Sequence, residues 1–157
     1  MSQALRSCLA ITVAACLAGC IDPKDQRPGL ELHGEVVQQI PSDWSFTNAN
    51  REIEIQVATP YWIPHSVTIW CAAVGGELYV GARNPDSKRW PGWVERDPNV
   101  QLRIGDRIYA VRLSQIDAAD EIAQVRRAYV AKYDLPDPPP EGGPPMRYWS
   151  VEPRSGT

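Results

Sequence analysis

Cysteine and histidine are scarce, at four and two of 157 residues. Cys8, Cys16 and Cys20 crowd the first twenty positions, so Cys71 is the only thiol in the rest of the chain. A single thiol excludes an internal disulfide in the folded part and cannot assemble a cysteine metal site. His33 and His65 have no partner at metal-ligand or triad spacing, which argues against zinc. A Gly-x-Ser-x-Gly elbow, a Gly-rich phosphate loop and a dinucleotide fingerprint are also missing. So is any excess of cations: 16 Lys and Arg stand against 19 Asp and Glu, a formal charge of −3, which argues against nucleic acid as a partner.

What is present begins with an address. Arg6 precedes an apolar run from Cys8 to Ala18 that is too short to cross a bilayer as a lasting helix. Asp22, Lys24, Asp25 and Arg27 then end the hydrophobicity, as after a cleaved secretory signal. Leu17-Ala18-Gly19-Cys20 resembles the lipobox of bacterial lipoproteins, which implies cleavage before Cys20 and lipidation of that residue. Several acyl chains hold a protein at a membrane without spanning it. Ile21, where the sorting rule of such lipoproteins would place an Asp for inner-membrane retention, favours the outer membrane, facing the periplasm. The expected organisation is a signal peptide over 1–19, a lipidated tether over 20–30 and one domain over 31–153.

With 43% hydrophobic and 22% charged residues, that domain has room for a real core. Leu30 to Val37 alternates loosely as a first strand, and Trp44 with Phe46 is expected to close one end of the core. Glu52 to Val57 alternates polar with apolar at period two, a strand with one wet face. Ser66 to Val74 turns through Gly75-Gly76 into Glu77 to Ala82, a hairpin that sets Ala73 against Leu78, Cys71 against Val80 and Ile69 against Ala82. Those six share one face, and Trp70, Ala72, Tyr79 and Gly81 take the other. In a second hairpin, turning at Gly105-Asp106, Leu102 faces Tyr109 and Val100 faces Val111. Asp117 is the expected N-cap of one long helix, whose stripe is Ile122, Val125, Tyr129 and Tyr133. A proline-rich extended loop over 135–145 leads to a last strand, Arg147 to Val151, that Pro153 is expected to stop.

Between the hairpins lies Pro85-Asp86-Ser87-Lys88-Arg89-Trp90-Pro91-Gly92-Trp93. Pro91 suits the first turn of a short helix, and free amides at a helix start beside two cations can hold a phosphate. The other reading is a solvated basic turn neutralised by Asp86, Glu95 and Asp97. Trp90, Trp93, Trp62 and Tyr61 either stack on a flat ring or fill the ends of a small barrel. Cys71, on an apolar strand face, is an inert buried thiol rather than a nucleophile.

The order strand, Glu77-Leu78-Tyr79-Val80-Gly81-Ala82, basic link, Trp-containing helix and Asp97-Pro98-Asn99-Val100 resembles the flavin- and deazaflavin-binding split β-barrels. These include the pyridoxamine 5′-phosphate oxidase-like proteins and the deazaflavin-dependent nitroreductases. The resemblance covers about Glu52 to Leu113. It implies a mainly β fold, a six-stranded antiparallel split β-barrel with one long and one short helix. It also implies a homodimer and a groove for FMN or a deazaflavin, with oxidoreductase chemistry on a small molecule. The phosphate would then lie on Ser87, Lys88 and Arg89, and the ring near Trp62, His65 and Ser66. The competing expectation is a non-catalytic envelope lipoprotein that uses the barrel to bind a ligand or protein, and a purely structural role is a third.

Overall fold

The computed structural model describes residues 22–24 and 27–154; the expected signal and lipidated Cys20 lie outside them. In chain order the strands and helices are β1 (Glu35–Val37), β2 (Ile53–Val57), β3 (His65–Val74), β4 (Glu77–Arg83), α1 (Arg89–Arg96), β5 (Asn99–Ile104), β6 (Arg107–Gln115), α2 (Ala119–Tyr133) and β7 (Met146–Pro153). The antiparallel ring runs β2-β3-β4-β7-β6-β5 and closes where β5 pairs back with β2. This is the six-stranded split barrel with one long and one short helix that the resemblance implies. β1 adds a parallel seventh strand to β6 over Arg107 to Tyr109, and β7 pairs with β6 from Val111 onward.

Both hairpins have the register that their apolar alternation dictates. Cys71 pairs with Val80 and Ala73 with Leu78, while Val100 pairs with Val111 and Leu102 with Tyr109. Inside the barrel Cys71, Leu78, Val80, Leu102 and Val111 are sealed from solvent. Truncating a residue so enclosed, as in Leu102→Ala, costs about 2–5 kcal/mol through lost burial and the cavity left behind. The outer face of β3 and β4 is also covered: Ala72 and Tyr79 pack with Val125, Tyr129 and Tyr133 of α2. Burial on both faces is why Ser66 to Val74 has so few polar positions.

Beyond Ile69, β3 is paired with β4 on one side but has no strand on the other, because β2 begins only at Ile53, opposite Ile69. Side chains take the strand's place. The Cys71 amide donates to the Tyr133 hydroxyl (2.9 Å), the Cys71 carbonyl accepts from Lys132 Nζ (2.8 Å), and the Ala73 amide donates to Asn48 Oδ1 (3.0 Å). The backbone polar groups there are satisfied, as burial requires.

Several boundaries differ from the sequence-based expectation. The first strand is three residues long, not eight, because its partner β6 begins only at Arg107, opposite Glu35. The helix cap is Ala118 rather than Asp117, with no side-chain cap bond, while Asp120 and Glu121 do occupy the first turn. β7 runs Met146–Pro153 rather than Arg147 to Val151, and it does end at Pro153, which pairs with Val111. Trp44 is buried against Tyr109 as expected of a core end, but Phe46 is half exposed.

The described part of the tether lies on the barrel. Asp22 pairs with Arg103 at 2.8 Å, Lys24 and Arg27 form a tight turn, and Gly29 and Ser66 exchange backbone bonds of 2.8 and 3.1 Å. Leu32 is buried, and its amide donates to Gln56 Oε1 at 2.6 Å.

Candidate functional site

β3 is longer than its partner β4, and that mismatch makes a groove. β4 ends at Arg83 and turns away through a short 3-10 segment, Pro85–Ser87, whereas β3 starts earlier, at His65. The gap along the outer face of the sheet is a groove of about 680 Å³. His65, Thr68 and Trp70 of β3, Arg83 of β4, and Lys88 and Arg89 at the start of α1 line it, with Pro28 of the tether at one lip and Glu52 at the other end. Five strand steps separate His65 from Trp70, a run of about 16 Å.

Charge is distributed unevenly along this groove. Arg147 of β7 bonds Asp86 (3.2 Å) and Glu95 (3.1 Å), two of the three acids expected to neutralise the basic turn. Asp97 Oδ1 instead accepts from the Asn99 amide and side chain, both at 3.0 Å. Among the described residues, Arg83, Lys88 and Arg89 are therefore left without an ion pair. Lys88, the N-cap of α1, makes no side-chain cap bond.

Three of the six residues expected to hold a cofactor, His65, Lys88 and Arg89, come together in the groove. Ser87 is beside it but committed, its hydroxyl donating to the Asn84 carbonyl at 2.8 Å. Ser66 is buried under Gly29, and its hydroxyl has no partner among the described residues. Trp62 is 94% exposed on the loop between β2 and β3, with a left-handed φ of 63°, and does not line the groove. Of the other aromatics, Trp90 is buried against Trp149 with one edge on the groove. Trp93 does not line the groove but packs edge to face on His65 (centroids 4.9 Å apart) and on Tyr61 (5.9 Å).

His65 is held below its ordinary pKa, first by burial and then by the positive charge of Arg89. Near neutral pH it is an uncharged ring able to donate or accept, not a fourth cation. Cys71 is buried in the barrel, outside the groove. Desolvation raises its thiol pKa, and Lys132, with Nζ 3.6 Å from Sγ, pulls the other way.

Sequence reasoning missed Arg83, Glu52 and Trp70 as groove residues. Arg83 was within reach, since it follows Gly81 by two and so shares the face assigned to Trp70 and Gly81. The far end is well ordered by packing: Trp70 stacks on Tyr133 with centroids 4.3 Å apart and planes 8° from parallel. The residues present fit a phosphorylated cofactor with a planar ring. They offer unpaired cations at one end, aromatic surface along the length, and a volume in the range of small-molecule pockets.

Comparison with known proteins agrees with this architecture. The fold is similar to that of a conserved hypothetical protein from Mycobacterium tuberculosis, with a TM-score of 0.56 at 14% identity over 76% of this chain and 87% of that one. It is similar to an F420-H2-dependent reductase, with a TM-score of 0.51 at 12% identity over 78% of this chain and 100% of that one. It is similar too to an F420 reductase, with a TM-score of 0.50 at 18% identity over 74% and 97%. No curated protein matches the sequence. A family model described as an uncharacterised protein conserved in bacteria matches residues 45–139, a span that contains every strand and helix lining the groove except β7, and the chain belongs to that family, DUF2255.

Proposed function

We propose that the groove binds FMN or a deazaflavin, with the cofactor's phosphate on Arg83, Lys88 and Arg89, and that the chain is an oxidoreductase acting on a small molecule at the cell envelope. One observation carries the reading: Arg147 draws off Asp86 and Glu95, leaving three cations unpaired at one end of an aromatic-lined groove. The F420-dependent reductases that share the fold support the class of cofactor. Such a cofactor supplies hydride chemistry when bound. The chain's own residues hold the anion, orient the ring and exclude water from one face. His65, neutral and fixed by Trp93, serves as a hydrogen-bonding group rather than a counter-ion.

The lipobox ending at Cys20 supports lipid anchoring, with the barrel on the periplasmic side of the outer membrane. A homodimer belongs to the same reading. The test uses the full chain in detergent, titrated with FMN and with a deazaflavin while flavin fluorescence is recorded. Micromolar binding that weakens about ten-fold or more in the Lys88→Ala, Arg89→Ala double variant is expected, because each charge-assisted bond to phosphate is worth on the order of 1 kcal/mol or more. Absence of binding to either cofactor sinks the reading. Cys20→Ser should release the protein from the membrane fraction, and unchanged attachment refutes lipidation there.

A further inference from the structure

The end of the groove away from Lys88 and Arg89 is aromatic, with Arg51 and Lys132 over the Tyr133 ring at 5.7 and 5.5 Å from its centroid. Trp70 is half-buried, one part covered by its parallel stack on Tyr133 and the remainder facing the groove. Tyr133 is itself locked, its hydroxyl 2.7 Å from the Arg51 carbonyl, 2.8 Å from the Cys71 carbonyl and 2.9 Å from the Cys71 amide. An aromatic surface fixed in this way loses little conformational freedom when a ligand seats against it. Gly81, paired with Trp70 across the hairpin, contributes no side chain there. Beside Trp70 stands Glu52, exposed and without an ion pair among the described residues. A carboxylate next to the cations would neutralise them. At the far end it accepts hydrogen bonds instead.

We propose that Trp70 and Glu52 form a ring-recognition subsite, in which a planar heteroaromatic ring packs on Trp70 and an N–H on its edge donates to Glu52. The ligand's tail runs past Thr68 to the anion-binding cations. This rests on the cofactor reading of the groove and adds a direction and a selectivity to it. The groove takes a ligand that is anionic at one end only, because an anionic group at the ring end would lie against Glu52 and be rejected. Arg83, two strand steps beyond Gly81, the partner of Trp70, and His65, five steps from Trp70, bracket the separation of ring and anion at about 7–16 Å.

The test compares FMN with lumiflavin, which has the same ring and no phosphate, and with N3-methyl-lumiflavin, which lacks the N–H, by fluorescence quenching and calorimetry on the full chain. Trp70→Leu and Glu52→Ala should each weaken FMN and lumiflavin about ten-fold, the scale of one aromatic stack or one bond to a charged group. Trp70→Phe keeps a ring for Tyr133 and should retain most of the affinity, which separates loss of stacking from loss of fold. The methylated ring should bind the wild-type protein about as weakly as lumiflavin binds Glu52→Ala, and should lose nothing further in that variant. Lys88→Ala with Arg89→Ala should weaken FMN and leave lumiflavin unchanged. If FMN depends on Lys88 and Arg89 while the Trp70 and Glu52 variants bind normally, the subsite is overturned and the cofactor reading stands. If lumiflavin depends on Trp70 and Glu52 but FMN gains nothing from its phosphate, the subsite stands and the anion site falls. If neither ligand binds, both are overturned.

Discussion

Replacing Tyr133 by Phe isolates what one hydroxyl does for the open edge of β3. The ring stays, so the parallel stack on Trp70 and the packing beneath α2 are kept. The Cys71 amide loses its acceptor, and one donated bond to the Arg51 or Cys71 carbonyl is lost as well. The Cys71 carbonyl keeps Lys132 Nζ at 2.8 Å, so the chief penalty is the stranded, buried N–H. One net hydrogen bond is worth about 1 kcal/mol and an unsatisfied buried donor about 1–3, so the expected loss is roughly 2–4 kcal/mol. In a domain of this size that lowers the melting temperature by about 6–12 °C. Urea and thermal denaturation followed by circular dichroism would measure it, with Tyr61→Phe on the half-exposed loop as a control expected within about 0.5 kcal/mol. A melting temperature within about 2 °C of wild type would show that the edge does not depend on Tyr133, and the account of β3 given above would be wrong.

Other outcomes follow from the same structure. Gly81→Ala should destabilise by about 1–3 kcal/mol in urea melts, since its Cβ would lie 3.0 Å from the Tyr129 hydroxyl and 3.1 Å from Tyr148 Cδ1, both on buried residues. The NMR titration of His65 should have its midpoint below the ordinary 6.5. Because the unfolded chain takes up that proton first, the stability that His65 contributes above pH 6.5 should decline as pH falls from there toward its folded midpoint, and His65→Asn should flatten that part of the profile. Arg103→Ala removes the bonds to Asp22, Glu54 and the His33 carbonyl. It should cost at most about 1 kcal/mol globally, as for partly exposed pairs, yet speed tryptic cleavage at Lys24 several-fold; an unchanged cleavage rate would mean that Arg103 does not hold the segment.

The hairpins were legible in the sequence because their information is local: a glycine turn and a period-two alternation determine which of Cys71, Val80, Leu102 and Tyr109 share a face. The basic link was legible for the same reason, but its electrostatic state was not. Whether Lys88 and Arg89 are neutralised depends on Arg147, more than fifty residues away in sequence, which takes Asp86 and Glu95 for itself. Trp70 could be assigned to the outer face of β3, but its restraint by Tyr133 depends on how α2 docks. Trp62 shows the converse. The resemblance implied a place for it near the ring, whereas Trp62 has a left-handed backbone and a side chain in solvent. The short β1 reflects where its distant partner β6 begins, which no local propensity encodes.

The docking of the segment before β1 bears on how the domain sits at a membrane under the proposed anchoring. Residue 20 is separated from Asp22 by two peptide steps, a reach of at most about 7 Å, and Asp22 is clasped by Arg103. With the anchor on Cys20, the leash would be shorter than the eleven residues from 20 to 30. The barrel would ride on the bilayer with its Arg103 side turned toward the lipid instead of tumbling above it. The chain then doubles back through the Lys24–Arg27 turn to bring Pro28 to the lip of the groove. Anchor and binding cleft would share one continuous strap, so traffic into the cleft would be confined to directions the membrane leaves open.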